Sequence, residues 1–71
     1  MLTVVATTGE KVKRLRRGKA WTQVQLADKA GVSQSTIAQI ESGVRPNPHP
    51  GTLGKLADAL GVEPADLLVD E

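Results

Sequence analysis

Between Thr22 and Gly43 two short helical patterns are separated by only three residues, Gly31 to Ser33, and that spacing constrains the fold more than any other feature of the chain. The first pattern opens at Thr22, which has the capping-box spacing to Gln25, while Trp21 and Leu26 flank the start where a hydrophobic staple would clamp it. Leu26, Ala27 and Ala30 line one face, and Gly31 ends the helix because glycine adopts the left-handed conformation without a side-chain clash. The second pattern takes Ser33 as its cap, has Val32 and Ile37 in staple positions and runs to Ser42 before Gly43. Two helices joined so tightly must cross closely at a steep angle. Ala27 stands where the backbones approach, so a larger residue there would push the pair apart, and Leu26, Val32, Ile37 and Ile40 fill the angle between them.

The outer side of the second of these helices is chemically unusual. At about 100° per residue, Ile37 and Ile40 face inward, whereas Gln34, Ser35, Ala38, Gln39 and Ser42 occupy an arc of roughly 140° centred nearly opposite. That arc carries no charge. A solvated helix face more often bears Lys, Glu or Arg, while a helix pressed into a DNA groove favours uncharged side chains that both donate and accept hydrogen bonds.

The remaining punctuation predicts three more helical segments and hence an all-α fold of five helices. The first runs from about Gly9 to Arg17, capped by Thr7 with Glu10 in capping-box spacing, closed by Gly18, and buried through Val12 and Leu15. Pro46, Pro48 and Pro50 make residues 45–50 a stiff connection. Pro50 then opens a fourth helix, in which Leu53, Leu56, Ala57 and Leu60 repeat at helical spacing and Gly61 supplies the stop. Gly54 interrupts it at a cost of roughly 1 kcal/mol relative to alanine, which suggests a neighbour packed closely there. Pro64 opens a last short segment that returns Leu67 and Leu68 to the core. Leu2 to Ala6 alternates like a short strand or extended arm. The organisation expected is an arm over 1–7, one domain over 8–69 with its central motif at 22–42, and a tail at 70–71.

Composition narrows the function classes. Seventy-one residues and 7.5 kDa fit one domain, and no apolar run approaches the roughly 20 residues of a bilayer helix or forms a signal peptide, so a cytoplasmic protein with no membrane association is expected. With no cysteine there is no disulfide, thiolate metal site or thiol nucleophile. One histidine, His49, without nearby Asp or Glu makes no acid-base or metal site and reads as a loop or cap residue. No catalytic residue, metal or cofactor is therefore assigned, and the chain is not expected to be an enzyme. Trp21 is the only aromatic residue and reads as a structural cover. The net charge of +1 conceals +5 over residues 1–45 and −4 over residues 46–71, a polarity suited to meeting a polyanion on one side.

The run from Thr22 to Gly43, with Leu15-Arg16 before it and Thr52-Leu53 through Leu60-Gly61-Val62 after it, resembles the helix-turn-helix of phage Cro and cI repressors and the bacterial xenobiotic-response-element regulators. The resemblance covers roughly residues 9–68 and implies a five-helix lambda-repressor-like domain that binds a double-stranded DNA operator as a homodimer, with the third helix in the major groove. It implies base contacts from Gln34, Ser35, Gln39 and Ser33. Gln34 is the foremost, because its amide can pair with adenine N6 and N7. Gln23, Ser42, Arg45 and Lys13 take phosphate contacts, which position the protein without specifying sequence. Arg16 and Glu41 are implied to form a partly buried salt bridge between the first and third helices. The expected function is sequence-specific transcriptional regulation, by repression; the alternatives are an antitoxin whose main partner is a toxin protein and a protein-interaction module.

Overall fold

Each helix opens on a side chain that satisfies amides left without partners in its first turn. In the computed structural model, which describes residues 7–45 and 48–68, these helices are α1 (Thr8–Gly18), α2 (Gln23–Ala30), α3 (Gln34–Ser42) and α4 (Pro50–Leu60). The Thr7 hydroxyl accepts from the Glu10 amide at 3.1 Å and donates to the Glu10 carboxylate at 3.3 Å. Thr22 and Gln25 close a full capping box, the Gln25 backbone amide reaching the Thr22 hydroxyl at 3.1 Å and the Thr22 backbone amide reaching the Gln25 side-chain Oε1 at 2.8 Å. Ser33 accepts from the Thr36 amide at 3.1 Å. His49 caps α4 through Nδ1, which accepts from Gly51, and Pro50 occupies the first helical position.

Among the described residues the fold is all-helical, with four helices rather than five. The fifth expected helix is a single 3-10 turn, Pro64–Leu67. The Leu68 amide bonds to the Ala65 carbonyl at 3.2 Å, three residues back, and the chain is already extended at Leu68, so the segment makes one tight turn and stops. That change of direction also corrects the burial expected for Leu68. Leu67 is fully buried, whereas Leu68 is 51% exposed. The strand or arm expected over 1–7 lies, except for Thr7, outside the described residues, as do 46–47 of the proline-rich connection and the tail at 70–71.

The core consists of one stripe from each helix. Val12 of α1, Leu26, Ala27 and Ala30 of α2, Ile37 and Ile40 of α3, and Leu53, Leu56, Ala57 and Leu60 of α4 meet Leu67 in a single cluster. Leu15, Trp21 and Val32 pack partly buried against its edge. α3 lies against α1 and α2, while α4 packs on α2 and the 3-10 turn. Between α2 and α3, Gly31 has φ +71° and the Val32 amide returns to the Ala27 carbonyl at 3.0 Å. This left-handed residue turns the chain within the three-residue connection.

Two expectations about glycine are corrected. Gly18 is the last residue of α1 and not the stop beyond it; the left-handed reversal falls on Ala20, at φ +59°. The Ala20 amide reaches the Arg17 carbonyl at 2.9 Å and the Trp21 amide reaches the Arg16 carbonyl at 3.2 Å, which together make a Schellman cap with alanine where glycine is usual. Nor, among the described residues, does anything pack closely on Gly54, since a Cβ built there would have no neighbour within 4 Å.

Candidate nucleic-acid interface

The uncharged arc of α3 faces outward because the helix has only one apolar stripe and that stripe is fully used. Ile37 and Ile40 are completely buried, Gln34, Ser35 and Ser42 are exposed, and Ala38 and Gln39 lie at half-burial along the ridge. The one charged residue of α3, Glu41, turns away from the ridge. Its side chain is only 3% exposed and takes two hydrogen bonds from Arg16 of α1, from Nε to Oε2 at 2.7 Å and from Nη2 to Oε1 at 2.9 Å. Arg16 donates its remaining terminal nitrogen, Nη1, to the Trp21 carbonyl at 2.7 Å. The guanidinium is thereby held to α3 and to the turn before α2 at once. Its hydrogen bonds to Glu41 raise its pKa above the ordinary arginine value; burial opposes that rise, and the carboxylate's charge adds to it.

Close packing of α1 on the end of α3 makes this pairing reachable. A Cβ on Gly9 would overlap the carbonyl oxygen of Ile40 and stand 3.2 Å from the Glu41 Cα. Glycine is therefore required in the first turn of α1 for the helix to approach the backbone of α3. The only trace of this in the sequence is a poor helix former placed inside a helix.

The other candidate residues have distinct surroundings. Gln23, in the first turn of α2, donates from Nε2 to Glu41 Oε1 at 3.3 Å, a link across 18 residues that no local pattern reveals. The Ser33 hydroxyl is engaged in its cap and shares a 2.8 Å hydrogen bond with the Thr36 hydroxyl. Ser42 donates its only proton to the Gln39 carbonyl at 3.2 Å and accepts from the Val44 amide at 3.5 Å, which folds the chain back over the end of α3. Arg45 is pinned there by its own amide, bonded to the Gln39 carbonyl at 3.0 Å, while its side chain is exposed. Lys13 sits elsewhere, half-buried in a group with Glu10, Arg14 and Arg17 on α1. The structure thus gathers Gln23, Ser42 and Arg45 with the C-terminal half of α3 and Gln34 with Ser35 at its N-terminal end. It leaves Lys13 in a separate basic cluster.

Trp21 covers the edge of the core, as a structural residue would, and carries two ammonium groups. The Nζ atoms of Lys19 and Lys29 stand 5.4 and 5.6 Å from its ring centroid, within cation-π range. Among the described residues no group of three or more His, Cys, Asp or Glu gathers as metal ligands, and no helix is long and apolar enough to cross a membrane.

Comparison with known proteins agrees with this geometry. The helix-turn-helix family model matches residues 12–67. The chain is 42% identical over 65 residues to the immunity repressor protein of Bacillus phage phi105, an alignment covering 92% of this chain and 44% of the repressor. The N-terminal DNA-binding domain of SinR from Bacillus subtilis superposes with a TM-score of 0.84 at 36% identity, covering 90% of this chain and 91% of that one. The P22 c2 repressor, solved in complex with a synthetic operator, gives 0.79 at 31% identity over 87% and 92% of the two chains. The chain spans less than half the length of the curated Bacillus and phage relatives it matches first. The family match spans most of the chain and the backbone follows that of the SinR domain, so the chain belongs to the Cro/cI-type helix-turn-helix family.

Proposed function

We propose that the chain binds operator DNA sequence-specifically and regulates transcription, by repression, with α3 inserted in the major groove and two copies paired on a two-fold site. The observation that carries this reading is the outward, uncharged ridge of α3 beside a Glu41 whose charge is turned inward and neutralised. A carboxylate left on that ridge would repel phosphate; a ridge of amides and hydroxyls instead meets base edges that both donate and accept. Gln34 is the leading base reader, with Ser35 and Gln39 beside it. Ser33 contributes less, because its hydroxyl is engaged in capping.

Gln23 and Arg45 are the phosphate contacts that the geometry supports best. Ser42 is weaker, since its proton already serves the Gln39 carbonyl. Lys13 adds to the positive field of α1. Pairing of two copies sets two recognition helices one DNA turn apart.

Selection of bound sequences from random duplexes, with solution mass measured alongside, tests the reading. Two-fold related half-sites with centres about 34 Å apart are expected, together with the mass of a dimer on DNA. Recovery of no enriched sequence would overturn it in favour of a protein-binding role, as an antitoxin or an interaction module.

A further inference from the structure

We propose that Glu41 is a positioning residue for DNA binding, which holds the side-chain amide of Gln23 in the orientation that meets a phosphate; this rests on the DNA-binding reading above. The Glu41 carboxylate accepts three hydrogen bonds, two from Arg16 and one from Gln23 Nε2. An ionised carboxylate only accepts, so the amide must turn its NH2 group toward Glu41, because the flipped amide would set its oxygen against a carboxylate oxygen. One amide hydrogen is thereby committed inward, and the other N–H and the carbonyl remain for solvent or a ligand. Gln23 is half-buried in the first turn of α2, so its body is packed while its head is oriented.

The carboxylate belongs to α3, and this gives the arrangement its functional meaning. A phosphate contact sets the register of a protein on the duplex, and base contacts read the sequence only within that register. Glu41 ties the α2 side chain that grips the backbone to the helix that presents Gln34 and Gln39. Arg16 fixes Glu41 in turn and, through the Trp21 carbonyl, the turn from which α2 starts. Without Glu41, Gln23 would have to order its rotamers on binding, a penalty that corresponds to about two- to tenfold in affinity.

A double-mutant cycle on the selected operator tests this, using the unsubstituted protein, Q23M, E41Q and Q23M/E41Q, with the folded fraction of each fixed by thermal unfolding. E41Q is expected to weaken binding about two- to tenfold when Gln23 is present and to change nothing further in the Q23M background. The salt dependence should be the same for the unsubstituted protein and Q23M, because Gln23 is neutral. Equal losses in both backgrounds would overturn the proposal and leave Glu41 a purely structural residue. Absence of binding to any duplex by the unsubstituted protein would instead overturn the DNA-binding reading itself. Should E41Q fail to fold, the side-chain amide order parameter of Gln23 in the free unsubstituted protein decides. A rigid amide, ordered like the backbone, supports the proposal, and an amide as mobile as that of exposed Gln34 overturns it.

Discussion

Arg16 and Glu41, 25 residues apart in the chain, meet through two hydrogen bonds of 2.7 and 2.9 Å and lock the first helix onto the end of the third. With the arginine side chain 11% exposed and the carboxylate 3% exposed, each charge depends on the other for its solvation. Removing one partner strands a desolvated charge, so Arg16→Ala or Glu41→Ala should lower the unfolding free energy by about 3 to 5 kcal/mol, whereas Arg16→Met with Glu41→Leu should cost less than either. Urea unfolding of the three variants checks the order. The raised pKa of Arg16 contributes stability that is fully present below the ordinary arginine range and lost only above it. Arg16 should therefore add no slope to stability between about pH 6 and 9.

Ala20 adopts φ +59° in the Schellman cap of α1. A left-handed residue with a Cβ costs about 1 to 2 kcal/mol, and glycine would recover this less roughly 0.5 to 1 kcal/mol of extra chain entropy in the unfolded state. Ala20→Gly should stabilise the protein by about 0.5 to 1 kcal/mol and raise Tm by a few degrees in a thermal melt. A lower Tm would remove strain at this position from the account.

Gly9 and Gly54 both sit inside helices, yet their alanine variants should move stability in opposite directions. At Gly9 the added methyl overlaps the Ile40 carbonyl, backbone against backbone, so Gly9→Ala should destabilise by at least about 1 to 3 kcal/mol despite the better helix propensity of alanine. At Gly54 the methyl meets nothing within 4 Å among the described residues, and Gly54→Ala should stabilise by about 0.5 to 1 kcal/mol. Chemical unfolding of the pair measures both signs.

Gln34 stands exposed at the first position of α3, where a base-reading amide is useful. Gln34→Ala should cost about 1 to 3 kcal/mol on the selected operator and relax preference at one base pair, because only one contact is lost. Arg45→Ala should weaken every sequence alike and reduce the salt slope by about one, as loss of a phosphate contact does. Binding titrations at several salt concentrations separate the two behaviours. A uniform loss from Gln34→Ala would remove it from the base readers.

The start of every helix, the turn at Gly31 and nearly all of the core were legible from residue order, because capping and helical periodicity act over three or four positions. Thr22 with Gln25, Ser33 with Thr36, and the Leu53, Leu56, Ala57, Leu60 stripe of α4 carry their own instructions. The last segment misled for a local reason: two consecutive leucines cannot share one side of a 3-10 turn that runs straight into extended chain, so Leu67 is buried and Leu68 is not.

Sequence alone therefore decided the four α-helices, where they start, and which face of α3 is uncharged. Tertiary structure decided that Gly9 is needed for a close approach while Gly54 is not, that the reversal after α1 falls on Ala20, and that Gln23 turns its amide to Glu41. Each of these depends on atoms contributed by distant parts of the chain or on how bonds are shared at a helix end. Capping and periodicity are encoded within one turn, whereas the space and partners around a side chain exist only after the helices have packed.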